Sequence, residues 1–162
     1  MTQILCDKYG LEAAQVIEMQ DNVSRQAALE GLSYRLDLAK SGNSFDTHQL
    51  LHLTRALGKQ IELKERLMSA YFTEGKAIGD PETLISLAEE VGIDADLARR
   101  TLIDQTYASV VHQDEKIASQ IGITGVPYFV IDMKYGISGA QATSVFVEAL
   151  EVMKASDEQV IR

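Results

Sequence analysis

Apolar and polar positions along the chain fall into successive helical patterns, interrupted near the C-terminal end by one short, wholly apolar stretch. Leu5 to Gly10 reads as a short helix. A second opens at Leu11 and reaches Glu30, with Ala14, Ile17, Val23, Ala27 and Ala28 recurring near helical spacing between charged residues. Gly10 and Gly31 stop these two patterns. Residues 32–44 include the turn chemistry of Ala39-Lys-Ser-Gly-Asn-Ser44 and read as loop. Ser44 is placed to cap a helix through Leu57, with Leu50, Leu53 and Leu57 on one side and Gly58 beyond its end. Another helix runs from about Gln60 to Glu74 and is stopped by Gly75. Asp80-Pro81-Glu82-Thr83 combines an aspartate cap, a proline at the first helical position and an acid in the first turn, all suited to orphan amides and the positive end of the helix dipole. Gly92 closes that helix. Asp94 opens a short one to about Ile103, and a longer one runs from about Thr106 to Gln120 and ends at Gly122.

The period changes in Gly122-Ile-Thr-Gly-Val-Pro-Tyr-Phe-Val-Ile-Asp132. Tyr128, Phe129, Val130 and Ile131 leave neither face polar, so the run predicts a strand covered on both sides rather than an edge. Pro127 cannot donate to a ladder and is tolerated at a first strand position, while Val126 is driven toward extended geometry by the proline after it. Asp132 to Tyr135 predicts a tight turn into a second strand near Gly136 to Ser138. Helix resumes from about Ala142 to Lys154, and Ala155 to Arg162 reads as a frayed tail. The pattern predicts a predominantly helical α/β chain: a helical portion over residues 1–121, a hairpin and helix over 122–155, and a tail over 156–162. A lone hairpin is marginal and its free edge is a template for pairing. The predicted partners are therefore a second copy of the chain or a complementing N-terminal segment.

Composition narrows the function classes. The 162 residues are 46% hydrophobic and 24% charged, enough for one domain with a real core. A net charge of −9 argues against a nucleic-acid footprint, which needs a basic stripe, and against an anionic membrane surface. Met1-Thr-Gln-Ile-Leu-Cys-Asp-Lys has neither a basic n-region nor a sufficient apolar h-region, and no stretch reaches membrane-spanning length, so a cytoplasmic protein is expected. Cys6 is the only cysteine, which rules out an internal disulfide and a four-cysteine metal site. No P-loop, nucleotide fingerprint or nucleophile elbow is present, and no cofactor is expected.

Other chemistry is sparse. His48 and His52 stand at the i, i+4 spacing of two metal ligands, yet a third ligand would have to come from His112 or a distant acid. No metal is expected, and His48 is read as a buried hydrogen-bonding side chain. Asp46 with His48, and Glu74 with Asp80, have the residue types of acid–base pairs, although helix starts explain Asp46 and Asp80 equally well. Tyr71 and Phe72 are candidates for a groove wall or for core.

Gly125-Val126-Pro127-Tyr128-Phe129-Val130, followed closely by Ser138-Gly139-Ala140-Gln141, resembles the second half of a DsbA-family thioredoxin-like domain, in particular the FrnE-like oxidoreductases. Asn43-Ser44-Phe45-Asp46-Thr47-His48-Gln49-Leu50 is similar to the family's Asn-Thr-Phe-Asp-Ala-His-Arg-Leu, departing at Thr47 and Gln49. Ala70-Tyr71-Phe72-Thr73-Glu74-Gly75 with Ile78-Gly79-Asp80 matches as well. The resemblance implies an incomplete thioredoxin-like fold, a helical insertion followed by the hairpin and last helix, with a cis peptide before Pro127. It implies that Val126 offers backbone hydrogen bonds to a thiol-containing peptide substrate and that Pro127 shapes the groove, and it marks Phe45, Asp46, His48, Tyr71 and Phe72 as motif residues. Family members begin with a strand, a Cys-Pro-Trp-Cys motif and a second strand; the resemblance here starts at the helical insertion, and the redox motif is missing.

Disulfide exchange needs an attacking thiolate and a second thiol to resolve the mixed disulfide. Cys6 does not fit that role, because Tyr9 stands three positions after it. No catalytic residue is therefore expected in this chain. Three functions remain open: a thiol–disulfide oxidoreductase portion that is inactive alone, a non-catalytic binding or assembly module, and a relative of the glutathione-dependent 2-hydroxychromene-2-carboxylate isomerases.

Overall fold

The computed structural model describes residues 2–160, which divide into two compact units, the first ending at His112 and the second beginning at Gln113. The helices are α1 (Thr2–Tyr9), α2 (Ala13–Leu29), α3 (Phe45–Ala56), α4 (Gln60–Phe72), α5 (Pro81–Glu90), α6 (Ala95–Ile103) and α7 (Ala108–Gln120). Strands β1 (Tyr128–Ile131) and β2 (Tyr135–Ser138) follow, then α8 (Thr143–Val160).

Leucines from four helices build the core of the first unit. Leu50 and Leu53 of α3, Leu63 and Leu67 of α4, Leu84 and Leu87 of α5 and Leu102 of α6 form one buried cluster, joined by Ile85, Ile93 and three alanines. Three alanines let the helix backbones approach closely where the leucines interdigitate. The helix starts are built as their residue types dictate. Asp80 accepts from the Thr83 amide at 2.8 Å with Pro81 just inside α5, and Asp94 accepts from the Leu97 amide at 2.8 Å. Lys59 reaches the last carbonyls of α5, donating from Nζ to the Val91 oxygen at 2.8 Å and so tying the start of α4 to the end of α5.

Several sequence-based expectations are corrected here. Ser44 does not cap α3 with its side chain; Asn43 Oδ1 accepts from the Phe45 amide at 2.9 Å instead. On α2 the buried residues are Val16 and Ala27, whereas Ile17 and Val23 are about half exposed. Leu36 and Ala39 of the following loop share a hollow with Met19, Gln20 and Val23, the side of α2 continuous with Val16 at helical spacing. Leu57 is likewise exposed, since it follows the last turn of α3. At the C-terminal end, α8 continues past Lys154 to Val160 where a frayed tail was expected, because Ala155 to Val160 contains neither glycine nor proline. Residues 161–162 lie outside the described residues.

The loop between α2 and α3 is held against the end of α4. Arg35 donates its amide to the Phe72 carbonyl at 2.6 Å, and Tyr34 stacks on Phe72 with ring centroids 4.5 Å apart. Gly75 has φ of +66°, and a Cβ there would sit 2.5 Å from the Leu38 Cβ, so both backbone conformation and space demand glycine.

In the second unit β1 and β2 pair antiparallel, Tyr128 opposite Ser138 and Ile131 opposite Tyr135. The connection closes with the Lys134 amide donating to the Ile131 carbonyl, and Asp132 and Met133 both take positive φ. Phe129 meets Phe146 of α8 edge to face at 4.9 Å, which places α8 on the sheet face that also carries Ile137. The expectation that β1 is covered on both faces does not hold within this chain. Phe129 and Val130 are exposed, β2 occupies one edge, and Ile137 is the single buried side chain among the described residues of this unit. One hairpin and one helix do not have enough surface to cover it.

An ion-pair network joins α4, α5 and the segment after α4. Arg66 bonds Glu74 through two nitrogens, at 2.7 and 3.0 Å, and also bonds Glu90, while Lys76 lies 3.2 Å from Glu74 and 3.5 Å from Glu90. The Arg66 guanidinium, with Lys76, holds the Glu74 carboxyl down at about 2. Glu90 is also lowered, chiefly by its bond to Arg66. A carboxylate whose folded pKa is depressed contributes stability that is fully present above its unfolded value and is lost as pH falls toward the folded one. Denaturant midpoints are therefore expected to fall between about pH 4.5 and pH 2, and Glu74→Gln to flatten that decline. A decline equally steep in Glu74→Gln would show that the network does not set the acid limit.

Candidate functional site

Two places collect the residues marked by the sequence. In the second unit, Gly125-Val126-Pro127 forms an open turn at the head of β1. The Val126–Pro127 peptide is cis. Val126 is 89% exposed, Pro127 is exposed, and a Cβ built on Gly125 would meet nothing within 4 Å. The Pro127 carbonyl accepts from the Gly139 amide at 2.8 Å, which anchors the turn to the exit of β2 and leaves Val126 as its projecting residue. At that exit Gln141 Nε2 donates to the Ser138 carbonyl at 2.8 Å, fixing the corner that leads into α8. The expected motif Ser138-Gly139-Ala140-Gln141 is thus a strand exit and helix entry, with Gly139 at φ +83°.

In the first unit, α3 and α4 leave a depression of about 300 Å³ between them, walled by Thr47, His48 and Leu51 from α3, Lys64, Leu67, Met68, Tyr71 and Phe72 from α4, and Ile78 from the loop beyond. The spacing explains the wall: residues 64, 67, 68 and 71 fall on one face of α4, and 44, 47, 48 and 51 on one face of α3. Tyr71 and Phe72 are half-buried, with their rings edge to face at 4.9 Å. Burial raises the Tyr71 hydroxyl pKa above its ordinary value, so the group is a neutral phenol at the wall.

Of the motif residues, the structure brings His48, Tyr71 and Phe72 to this depression. Phe45 instead packs its half-buried ring on His112 at 4.8 Å, and Asp46 accepts from Gln49 Nε2 at 2.9 Å. His48 is exposed, which overturns the buried hydrogen bond expected of it. That bond belongs to its neighbour: Thr47 is buried and donates from Oγ1 to the Ile78 carbonyl at 2.7 Å, because the inward face of α3 passes through residues 47 and 50 rather than 48. His52 stacks against Tyr107 with centroids 6.2 Å apart. Among the described residues no cluster of three or more histidines, cysteines and acids stands at metal-binding distance. Glu74 and Asp80 serve the ion-pair network and the α5 cap respectively, so they form no acid–base pair. Sequence reasoning missed Leu51, Lys64, Leu67 and Met68 as wall residues, although their i, i+3, i+4 spacing with His48 and Tyr71 carried the signal.

A helical unit is followed along the chain by a proline turn, a hairpin and a final helix. Residues 4–151 match the DSBA-like thioredoxin domain, and the chain belongs to that family. A crystal structure described as a probable DsbA oxidoreductase of Streptomyces coelicolor superposes with a TM-score of 0.85 at 41% identity, over 92% of this chain and 64% of that one. The uncharacterised protein YwbO of Bacillus subtilis is 38% identical over 109 residues, and the thiol:disulfide interchange protein DsbA of Azotobacter vinelandii is 27% identical over 128. The chain spans 52% of the length of the first and 60% of the second. It carries one cysteine and so no Cys-x-x-Cys pair; no described helix is long and apolar enough to cross a membrane.

Replacing Thr47 by valine would leave the half-buried Ile78 carbonyl without this donor, a loss of about 1 kcal/mol. Thr47→Val is expected to lower the urea midpoint with an unchanged slope, and Thr47→Ser to lower it less. Equal midpoints for wild type and Thr47→Val would show that this bond does not hold the loop to α3.

Proposed function

We propose that this chain supplies the substrate-presenting turn and the FrnE-like helical insertion of a DsbA-family thiol–disulfide oxidoreductase, working with a dithiol that the 162 residues do not contain. The observation that carries the reading is the open Gly125-Val126-Pro127 turn, with Val126 projecting and its backbone free to pair with an extended peptide. In such a reaction a thiolate attacks one sulfur of the substrate disulfide and the other sulfur leaves as thiolate. A second thiol then displaces the substrate from the mixed disulfide, so the enzyme pair is oxidised as the substrate is reduced, or the reverse. The residues here would hold the peptide beside the reacting sulfurs; Val126 and Pro127 are the positioning residues. The same reading puts the protein in the cytoplasm, where a lone thiol such as Cys6 stays reduced. It also gives β1 a partner on its open edge: a complementing segment with the remaining strands, or a second copy. A non-catalytic binding module is the second reading, favoured by the apolar depression of the first unit, which needs no thiol.

Two measurements test the reading. In turbidimetric insulin reduction with dithiothreitol, the chain alone is expected to give no acceleration, and Cys6→Ser to behave identically. Adding a separately produced strand–Cys-x-x-Cys–helix–strand segment of a DsbA-family protein is expected to restore it, and to do so less with Val126→Pro, which removes the projecting amide. Acceleration by the chain alone that survives Cys6→Ser would overturn the assignment. By light scattering, the isolated chain is expected to self-associate at micromolar concentration. A well-folded 17.8 kDa monomer with slow amide exchange in β1 would show that its edge needs no partner.

A further inference from the structure

Beyond the redox reading, we propose that the depression between α3 and α4 binds an aliphatic monocarboxylate, its head group met by Lys64 and His48 and its tail lying along Leu67 toward Tyr71. The cavity has about 300 Å³, the lower end of small-molecule sites, and its wall is almost wholly apolar. Lys64 and His48 are the charged or titratable side chains of that wall apart from the neutral Tyr71 phenol. Neither side chain makes an ion pair or hydrogen bond with the described residues, in a chain that carries 24 acids against 15 lysines and arginines. A lysine left without a carboxylate in so acidic a chain, on the wall of an apolar hollow, is complementary to an anion with a hydrocarbon body.

The apolar lining is the ground for a hydrocarbon tail. Tyr71 and Phe72 also wall a second apolar hollow of about 240 Å³, lined on its far side by Met19 and Val23 of α2, so the two aromatic rings stand between consecutive apolar spaces. Met68 supplies a flexible side chain that can follow chains of different length. The floor is rigid, because Leu67 is packed in the leucine core and Thr47 is bonded to Ile78. His48 fits the same account: it lies in the motif that the sequence singled out, and its exposed ring has no structural bond to make.

The test uses octanoate and its uncharged counterpart 1-octanol as probes, titrated into the whole chain carrying isotope-labelled methionine methyls and followed by NMR. Octanoate is expected to move the Met68 methyl saturably. Lys64→Met, a surface change with an unaltered thermal midpoint, is expected to weaken octanoate by at least about tenfold, the size of one charge-assisted hydrogen bond, and to leave 1-octanol within about twofold. Absence of saturation at Met68, equal binding of acid and alcohol, or octanoate affinity unchanged in Lys64→Met would each overturn the proposal. The readout involves no thiol chemistry, so either result is independent of the insulin assay.

Discussion

The mutual burial of leucines from α3, α4, α5 and α6 is the interaction on which the first unit depends. Leu50, Leu63, Leu84 and Leu87 are fully buried, and each such side chain contributes roughly 1.5 to 3 kcal/mol relative to exposure. Because this core is closed by its own four helices, the outer faces of α3 and α4 are left available for something else. Their separation is fixed from below by Leu67 and at one end by the Thr47–Ile78 bond. The loop bearing Ile78 is positioned in turn by two tight crossings. Gly75 passes Leu38, and Gly79 lies so near Asn43 that a Cβ would come within 3.0 Å of its carbonyl oxygen. A cavity wall made of three separate segments is therefore held by packing and backbone contact, which is the condition for a pre-formed site.

The second unit shows the same physics with too few elements. Its sheet has two strands, α8 covers one face through Phe146, and a single side chain reaches burial. The opposite face bears Tyr128 and Val130, where the Tyr128 ring lies across Gly136 so closely that a Cβ there would overlap its hydroxyl. That packing lets one aromatic ring shield a stretch of backbone, yet Val130 remains exposed beside it. An apolar strand with an open edge and an open face has the composition of a central strand and the surroundings of an edge. This mismatch is the physical ground for assigning it a partner in the proposed function.

Much of the helical architecture was legible because its signals are local. Asp80-Pro81 and Asp94 mark helix starts by supplying acceptors to orphan amides, and Gly75, Gly92 and Gly122 adopt the positive φ that ends a helix. What was not legible depends on contacts distant in sequence. On α2 Val16 rather than Ile17 is inside, on the side where Leu36 and Ala39 of the later loop line a shared hollow. Whether His48 or Thr47 carries the structural bond is decided by a carbonyl 31 residues away. The open turn at Val126 was legible through its resemblance to the family loop. The apolar hollow was not, because no single segment contains it: its wall joins α3, α4 and the loop at Ile78, and only packing brings those together.

The two candidate sites differ in what they require of the chain. Disulfide exchange by an enzyme dithiol requires a pair of sulfurs, and Cys6, half-buried in α1, is a single one. Recognition requires only shape and charge placed by rigid elements. The proline turn exposes Val126, and the α3–α4 hollow has an apolar wall that also carries Lys64 and His48. Turnover of a disulfide by a dithiol needs two sulfurs, and the one cysteine of these 162 residues does not supply the pair.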